Sequence, residues 1–219
     1  MKNLFSTSIG KKFAMAISAI FLMIFLLQHF IINITSVFSE DIFNMLSHFM
    51  GTNFLVQFIL QPILIAGVLF HFIMGFYLEI QNRKAAKYEY QKEKGSANST
   101  WMSRNMITSG LVILAFLVLH FIDFWVPEMN HKYIEFLPED PNRYFKHLVH
   151  KFENPLRVAM YCLSFVLLAL HLLHGFTSSL RSMGTNKSYV SSAKTAGIIY
   201  SIGIPLGFCV IAIFHYLNQ

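Results

Sequence analysis

Long uncharged stretches of mainly apolar residues, separated by polar segments, make up most of this chain. Five of them contain no Asp, Glu, Lys or Arg, at residues 13–34, 55–78, 105–122, 158–180 and 195–219. An α-helix rises about 1.5 Å per residue, so about 20 residues cross the roughly 30 Å hydrocarbon core of a bilayer. The pattern therefore predicts an all-α integral membrane protein.

The five predicted transmembrane helices cover residues 13–35, 55–80, 104–126, 157–181 and 194–218, within a single membrane domain of residues 1–219. The composition favours the same class, since 55% of the residues are hydrophobic and only 13% are charged. An ordinary soluble domain contains about 25% charged residues. A soluble globular protein is therefore not expected.

The distribution of charge predicts the orientation. Twelve of the 17 Lys and Arg residues lie before the first stretch and in the second and fourth connections. The first connection has none and carries Glu40 and Asp41. By the positive-inside rule, the N-terminus lies in the cytoplasm and the C-terminus outside. The expected location is a bacterial cytoplasmic (inner) membrane, with the C-terminus on the periplasmic side. This topology accounts for the net charge of +6, so membrane lipid is an expected partner and nucleic acid is not.

Two cysteines, Cys162 and Cys209, lie inside the fourth and fifth stretches. Their spacing is not that of a disulfide framework. The chain also lacks the Cys-x-x-Cys-His pattern that attaches haem covalently. Any haem that this chain holds is therefore expected to be b-type.

Histidines recur within the apolar stretches, where an ionisable side chain is costly and is therefore a functional candidate. The four principal candidates, one in each of the first four stretches, are His29, His71, His120 and His171. His174 is a second candidate in the fourth stretch, and His215 lies near the chain end. The alternative for each is a neutral imidazole that hydrogen-bonds to a neighbouring helix and only stabilises packing. Four histidines in four consecutive helices favour the functional interpretation.

A short internal repeat surrounds these histidines. His29 and His120 are each followed by Phe-Ile. His71 and His171 each begin the pattern His-x-x-x-Gly-Phe. A glycine one turn beyond the histidine lies on the same helix face and leaves room for a flat macrocycle to approach the backbone. In this register His174 aligns with a methionine of the second stretch, so His171 is the preferred ligand.

The depth of the histidines follows from counting residues along each stretch. His29 and His120 lie about 24 and 22 Å from the cytoplasmic ends of their helices, and so approach the outer face. His71 and His171 lie about 24 and 20 Å from the outer ends of helices that run inward, and so approach the inner face. The histidines therefore form two pairs, and the two members of each pair lie at about the same depth in the membrane. Helices I to IV are expected to form a four-helix bundle that binds two haem b groups, each iron held by two neutral imidazoles.

Several segments carry a family resemblance: Leu-Gln-His-Phe-Ile-Ile-Asn at 27–33, Ser-His-Phe-Met at 47–50, His71 with Gly75 and Tyr77, and His171 to Gly175. They resemble the cytochrome b subunit of di-haem succinate:quinone oxidoreductases, the succinate dehydrogenases and fumarate reductases. The likeness extends over nearly the whole chain. It implies that His29 and His120 bind a distal haem, and that His71 and His171 bind a proximal haem.

The same resemblance implies partners and an activity. A flavoprotein subunit with FAD would oxidise succinate or reduce fumarate, and an iron-sulfur subunit would carry the electrons to the proximal haem. This chain would anchor both subunits and exchange electrons with a membrane quinone, expected to be menaquinone. The dicarboxylate chemistry would then lie on the partners. The sequence leaves open the direction of the reaction, the haem potentials and whether the complexes form dimers.

Further contacts are predicted around the haem groups. Arg181 is a candidate for binding a haem propionate or docking the iron-sulfur subunit, with lipid headgroup contact as the alternative. Four polar residues near the outer pair are candidates for contacting the quinone: Gln28, Asn33, His48 and Asp123. An ordinary hydrated helix end is the alternative for each of these four.

The third connection has the composition of a polar loop with a short surface helix. It contains His131, His147 and His150. These three histidines are expected to be solvated. They are not predicted to belong to the haem sites.

Two other classes of membrane protein are left open. The cytochrome b subunit of a hydrogenase or formate dehydrogenase also pairs histidines across a bundle, and a co-purifying flavoprotein with succinate activity would exclude it. A proton-coupled transporter usually has broken helices or acidic residues at the midplane. Here the acidic residues lie at or beyond the ends of the apolar stretches, which disfavours a transporter.

Overall fold

The structure is a computed structural model that describes residues 7–89, 105–184 and 187–219. No β-strand occurs among these residues. The helices are α1 (Ser8–Ile34), α2 (Glu40–Thr52), α3 (Gln61–Glu89), α4 (Met106–His120), α5 (Val126–Met129), α6 (Arg143–Phe152), α7 (Pro155–Ser182) and α8 (Lys187–Leu217). A 3-10 turn (Thr35–Val37) follows α1, and π-helical turns precede α3 (Val56–Leu60) and flank α5 (Phe121–Trp125 and Asn130–Ile134).

Five helical segments are long and apolar enough to cross a membrane. They are Ser8–Val37, Val56–Lys84, Met106–Ile134, Pro155–Ser182 and Ala193–Leu217. The predicted all-α membrane protein is therefore confirmed. The first span starts earlier than the sequence predicted, and the third ends later.

The first span starts earlier because a capping residue precedes its lysines. Oγ1 of Thr7 accepts a hydrogen bond from the Gly10 N–H at 3.0 Å, which caps a helix that begins at Ser8. Lys11 then lies within the helix and donates to Tyr77 Oη of α3 at 2.7 Å. Uncharged length alone predicts a start at residue 13, whereas the helical backbone begins five residues before the apolar stretch, at Ser8.

The third span continues to Ile134, although the sequence predicted its end at residue 126. Pro127 lies in this extension and has no N–H to donate to the Asp123 carbonyl four residues earlier. That carbonyl instead pairs with His147 Nε2 at 2.7 Å. The π-helical turns on either side of α5 are the kind of local adjustment by which membrane helices accommodate proline. His147 was wrongly predicted to be solvated, since it is half-buried against the helix end.

Two connecting helices, α2 and α6, pack together at the end of the bundle opposite the start of α1. Helix α2 was not predicted; Ser39 caps it by accepting from the Ile42 N–H at 3.3 Å. The buried Asn44 of α2 accepts from the backbone N–H of Phe145 in α6 at 2.8 Å. Helix α6 corresponds to the short surface helix expected in the third connection.

The best-packed part of the bundle lies where α7 and α8 meet. Its buried hydrophobic residues are Phe43, Leu148, Phe152, Val158, Tyr161, Phe165, Ile204, Phe208, Ile211 and Ala212. By contrast, no residue in the most apolar stretch of the second span is buried. Residues beside α8 are therefore more deeply buried than those of the second span.

A buried ion pair joins the third span to α7. Asp123 is 1% exposed, and its Oδ1 accepts from Arg157 Nη1 at 2.5 Å. Its Oδ2 accepts from Tyr161 Oη at 2.8 Å. Asn154 caps α7 by accepting from the N–H groups of Leu156 and Arg157, which fixes the first turn of that helix. Both carboxylate oxygens are thus paired, as the cost of burying an isolated charge requires.

Arg157→Ala would leave the Asp123 carboxylate buried without a countercharge. We expect this change to lower the free energy of unfolding by about 3 kcal/mol, the scale of breaking a buried ion pair. The measurement is SDS-induced unfolding of the purified chain in detergent micelles. Arg83→Ala is the control, because it breaks a pair with Glu79 in which the arginine side chain is 72% exposed. Its expected cost is at most about 1 kcal/mol, and equal losses in both variants would contradict the prediction.

His147 predicts a dependence of stability on pH. Burial lowers the pKa of His147, and the charges of Lys151, Arg143 and His150 act in the same direction. The hydrogen bond to the Asp123 carbonyl opposes this shift of the pKa. The unfolded chain therefore takes up the proton first, and stability falls as pH drops from about 6.5 towards the lower folded pKa.

His147→Gln keeps a hydrogen-bond donor at this position but removes the titrating group. We expect the free energy of unfolding to fall less steeply in this variant than in the wild type between about pH 7 and pH 5. The same SDS unfolding experiment, repeated across this range, gives both slopes. Identical slopes would show that His147 does not contribute to the pH dependence.

Candidate functional site

One pair of predicted ligands, the α1–α4 pair, consists of His29 in α1 and His120 at the end of α4. Their ring centroids are 5.7 Å apart, and the ring planes are nearly perpendicular at 87°. Phe25 stacks on His29 at 5.5 Å, and Phe124 lies 5.2 Å from His120. Nδ1 of His120 is buried and has no hydrogen-bond partner among the described residues. This pair is therefore surrounded mainly by aromatic rings.

The second pair, the α3–α7 pair, consists of His71 in α3 and His171 in α7. Their ring centroids are 6.4 Å apart, with an angle of 64° between the planes. The structure thus brings together the two pairs that the depth calculation predicted. His171, and not His174, forms the ring contact with His71.

Each histidine of the α3–α7 pair faces a serine on another helix. Ser18 Oγ in α1 lies 3.0 Å from His71 Nδ1. Ser109 Oγ in α4 lies 3.1 Å from His171 Nδ1. Neither serine was among the site residues predicted from the sequence.

The spacing of the serines could have revealed them. Ser18 lies 11 residues before His29, and Ser109 lies 11 residues before His120. Eleven residues make about three helical turns, so the serine and the histidine of each helix share one face. They are separated by about 16 Å along the helix axis. Because each serine touches the α3–α7 pair, the same distance separates the two pairs along the bundle.

The glycines that were expected to face a macrocycle lie beside the ends of methionine side chains. A Cβ atom on Gly75 would meet Met15 Cε at 3.6 Å, and one on Gly175 would meet Met106 Cε at 3.7 Å. Methionine is flexible and adapts to neighbouring groups, so neither glycine is enclosed by rigid atoms at this contact. Met15 and Met106 each precede a site serine by three residues, which extends the internal repeat to Met, Ser and His.

The separation of the rings matches that of two imidazoles bound to one metal ion. A metal–imidazole bond is about 2.0–2.1 Å, and the nitrogen lies about 1.1 Å from the ring centre, so such rings have centroids roughly 6 Å apart. The observed separations are 6.4 and 5.7 Å. Within the described ranges, no three His, Cys, Asp or Glu side chains come together as a metal site. Each pair thus offers two ligands, and a haem macrocycle would supply four; the haem-ligand role stays a prediction.

Two of the predicted quinone contacts lie on α1. Gln28 is exposed, and its Nε2 lies 3.6 Å from Met50 Sδ of α2. Asn33 donates from Nδ2 to the His29 carbonyl of its own helix at 2.8 Å. In both residues the amide nitrogen is therefore bonded, and the amide oxygen has no hydrogen-bond partner among the described residues.

The other two quinone candidates differ in whether a polar side-chain atom lacks a partner. His48 of α2 packs edge-on against Tyr144 of α6 with ring centroids 6.1 Å apart, and its buried Nδ1 has no partner in the described part of the chain. Burial, and then the charge of Glu128, raises the pKa of Tyr144 to about 12, so its hydroxyl stays protonated at neutral pH. Both carboxylate oxygens of Asp123 are paired. His48 thus has a free polar atom and Asp123 has none.

Arg181 lies in the last turn of α7 and is exposed. It follows His171 by ten residues, or about 15 Å along the helix. This places it at the end of the bundle nearer the α3–α7 pair. Its contact with a propionate or a partner subunit stays a prediction.

No protein-family model, curated protein or solved structure matches this chain. The central feature is a set of four intramembrane histidines, arranged as two facing pairs at different levels of one helical bundle.

Proposed function

We propose that this chain is the membrane-anchoring di-haem cytochrome b subunit of a succinate:quinone oxidoreductase. The observation that carries the proposal is the meeting of four intramembrane histidines as two facing pairs. The pairs lie about 16 Å apart along the bundle axis. A haem iron bound by two imidazoles has no open position and exchanges single electrons.

The contribution of the chain is to hold two neutral imidazoles at each level. His29 and His120 come from helices that run in one direction, and His71 and His171 from helices that run in the other. Each pair therefore joins two separate helices, and the ligands depend on the packing of the bundle.

The two ends of the bundle suit different partners. The end where α1 begins has the excess of Lys and Arg, which favours a cytoplasmic location for that end. An iron-sulfur subunit, with its FAD-containing flavoprotein, would dock there, near the α3–α7 pair. A quinone, expected to be menaquinone, would exchange electrons near the α1–α4 pair, where Gln28 and His48 keep polar atoms available. The proposed location is the cytoplasmic membrane of a bacterium.

The partner subunits distinguish this proposal from other membrane cytochromes b. The resemblance of the segments around the histidines favours the succinate:quinone family. Purification of the tagged chain from its native membrane in a mild detergent should recover a flavin-containing protein that oxidises succinate or reduces fumarate. Recovery of a hydrogenase or formate dehydrogenase instead would contradict the proposed partner.

The four histidines predict a defined loss of haem. A reduced-minus-oxidised spectrum and a pyridine haemochrome assay of the purified chain should give two low-spin b haems per polypeptide. His71→Ala or His171→Ala should remove one haem, and His29→Ala or His120→Ala should remove the other, because each iron loses one of its two ligands.

His215→Ala is the matched control for these variants. His215 is also an intramembrane histidine, only 2% exposed, but it is hydrogen-bonded to Ser36 and lies outside both pairs. We expect this variant to retain both haems. The ligand assignment is wrong if any of the four site variants keeps two haems, and the proposed function is wrong if the folded wild-type chain binds none.

A further inference from the structure

The two histidine pairs differ in what their Nδ1 atoms contact. In the α3–α7 pair, Ser18 Oγ lies 3.0 Å from Nδ1 of His71, and Ser109 Oγ lies 3.1 Å from Nδ1 of His171. In the α1–α4 pair, Nδ1 of His120 is buried without a hydrogen-bond partner in the described ranges. The environment of the α3–α7 pair is therefore the more polar at Nδ1.

The proton in each serine–histidine hydrogen bond belongs to the histidine. Ser18 Oγ donates its only proton to the Met15 carbonyl at 2.8 Å. Ser109 Oγ does the same with the Met106 carbonyl at 2.9 Å. A carbonyl oxygen can only accept, so each serine oxygen is left to accept from an imidazole Nδ1–H. This bond fixes the tautomer in which Nε2 carries the lone pair that can bind a metal.

We propose that Ser18 and Ser109 are positioning residues that lower the reduction potential of the haem bound by His71 and His171, and of that haem alone. This inference rests on the function proposed above. A hydrogen bond donated by Nδ1–H orients the ring and makes Nε2 a more basic ligand, as outer partners of metal-bound histidines do. A more basic ligand stabilises the oxidised iron, so the potential falls.

The arrangement occurs twice, once on each side of the pair. Helices α1 and α4 both carry Met-x-x-Ser, with the serine bound to the methionine carbonyl and to a histidine of a neighbouring helix. The two imidazoles of one iron would therefore be supported in the same way. Each serine should add a shift of the same sign.

The test uses the purified full-length chain with its haems. The reduction potentials of both haems are measured by spectroelectrochemistry in Ser18→Ala, in Ser109→Ala and in the double variant. We expect two haems to remain, with one potential shifted to a more positive value in each single variant and further in the double variant. His29→Ala, which should retain only the α3–α7 haem, identifies which potential belongs to that haem.

Two sets of control variants separate the hydrogen bond from general packing. Ser18→Thr and Ser109→Thr keep a hydroxyl that can bond to a carbonyl of the preceding turn, and they should retain the wild-type potentials. Ser36→Ala removes a bond of the same local form, since Ser36 Oγ donates to the Asn33 carbonyl and lies 2.9 Å from His215 Nε2. Because His215 lies outside both pairs, this change should leave both potentials unaltered.

If an alanine variant loses the haem, Ser18→Cys provides the same test. A thiol is close in size to a hydroxyl but is a weaker acceptor, so the potential should be more positive than in Ser18→Thr. Equal potentials in these two variants would overturn the inference. So would a double alanine variant with two haems and unchanged potentials, and in that case the haem-binding function would stand. Absence of haem from the wild-type chain would contradict both the haem-binding function and the inference about the serines.

Discussion

A ring nitrogen in the hydrocarbon core of a membrane has no water to bond to, so its partners must come from the bundle itself. The α3–α7 pair meets this constraint through Ser18 and Ser109, and each serine meets it by donating to a carbonyl one turn earlier. In the other pair, His120 lies among aromatic rings, and its Nδ1 is unpaired within the described ranges. The requirement is therefore met at both histidines of the α3–α7 pair and is left unmet at Nδ1 of His120.

The same constraint accounts for the structure just beyond His120. Pro127 removes the donor that would normally pair with the Asp123 carbonyl, and His147 of α6 takes its place. The Asp123 carboxylate is paired with α7 through Arg157. Asp123 thus connects three elements only three residues after a site histidine. Fixing the end of this helix also restricts how His120 can turn within its pair.

Much of this arrangement could be predicted because it depends on quantities that are uniform along a helix. Uncharged length predicts five spans, and a constant rise per residue predicts which histidines share a level. The roles of Ser18 and Ser109 could not be predicted from either quantity. Serine is common in membrane helices, and its function depends on which neighbouring helix faces it. The extension past Pro127 was missed because its compensating partner, His147, lies 20 residues later in the chain.

The eleven-residue spacing between Ser18 and His29, repeated between Ser109 and His120, makes the two levels interdependent. A shift of one residue in the register of α1 would rotate both of its site residues by about 100°. It would remove one contact from each pair at the same time. Helix α4 imposes the same condition from the other side. The two levels therefore share their structural requirements, although the groups around their imidazoles differ.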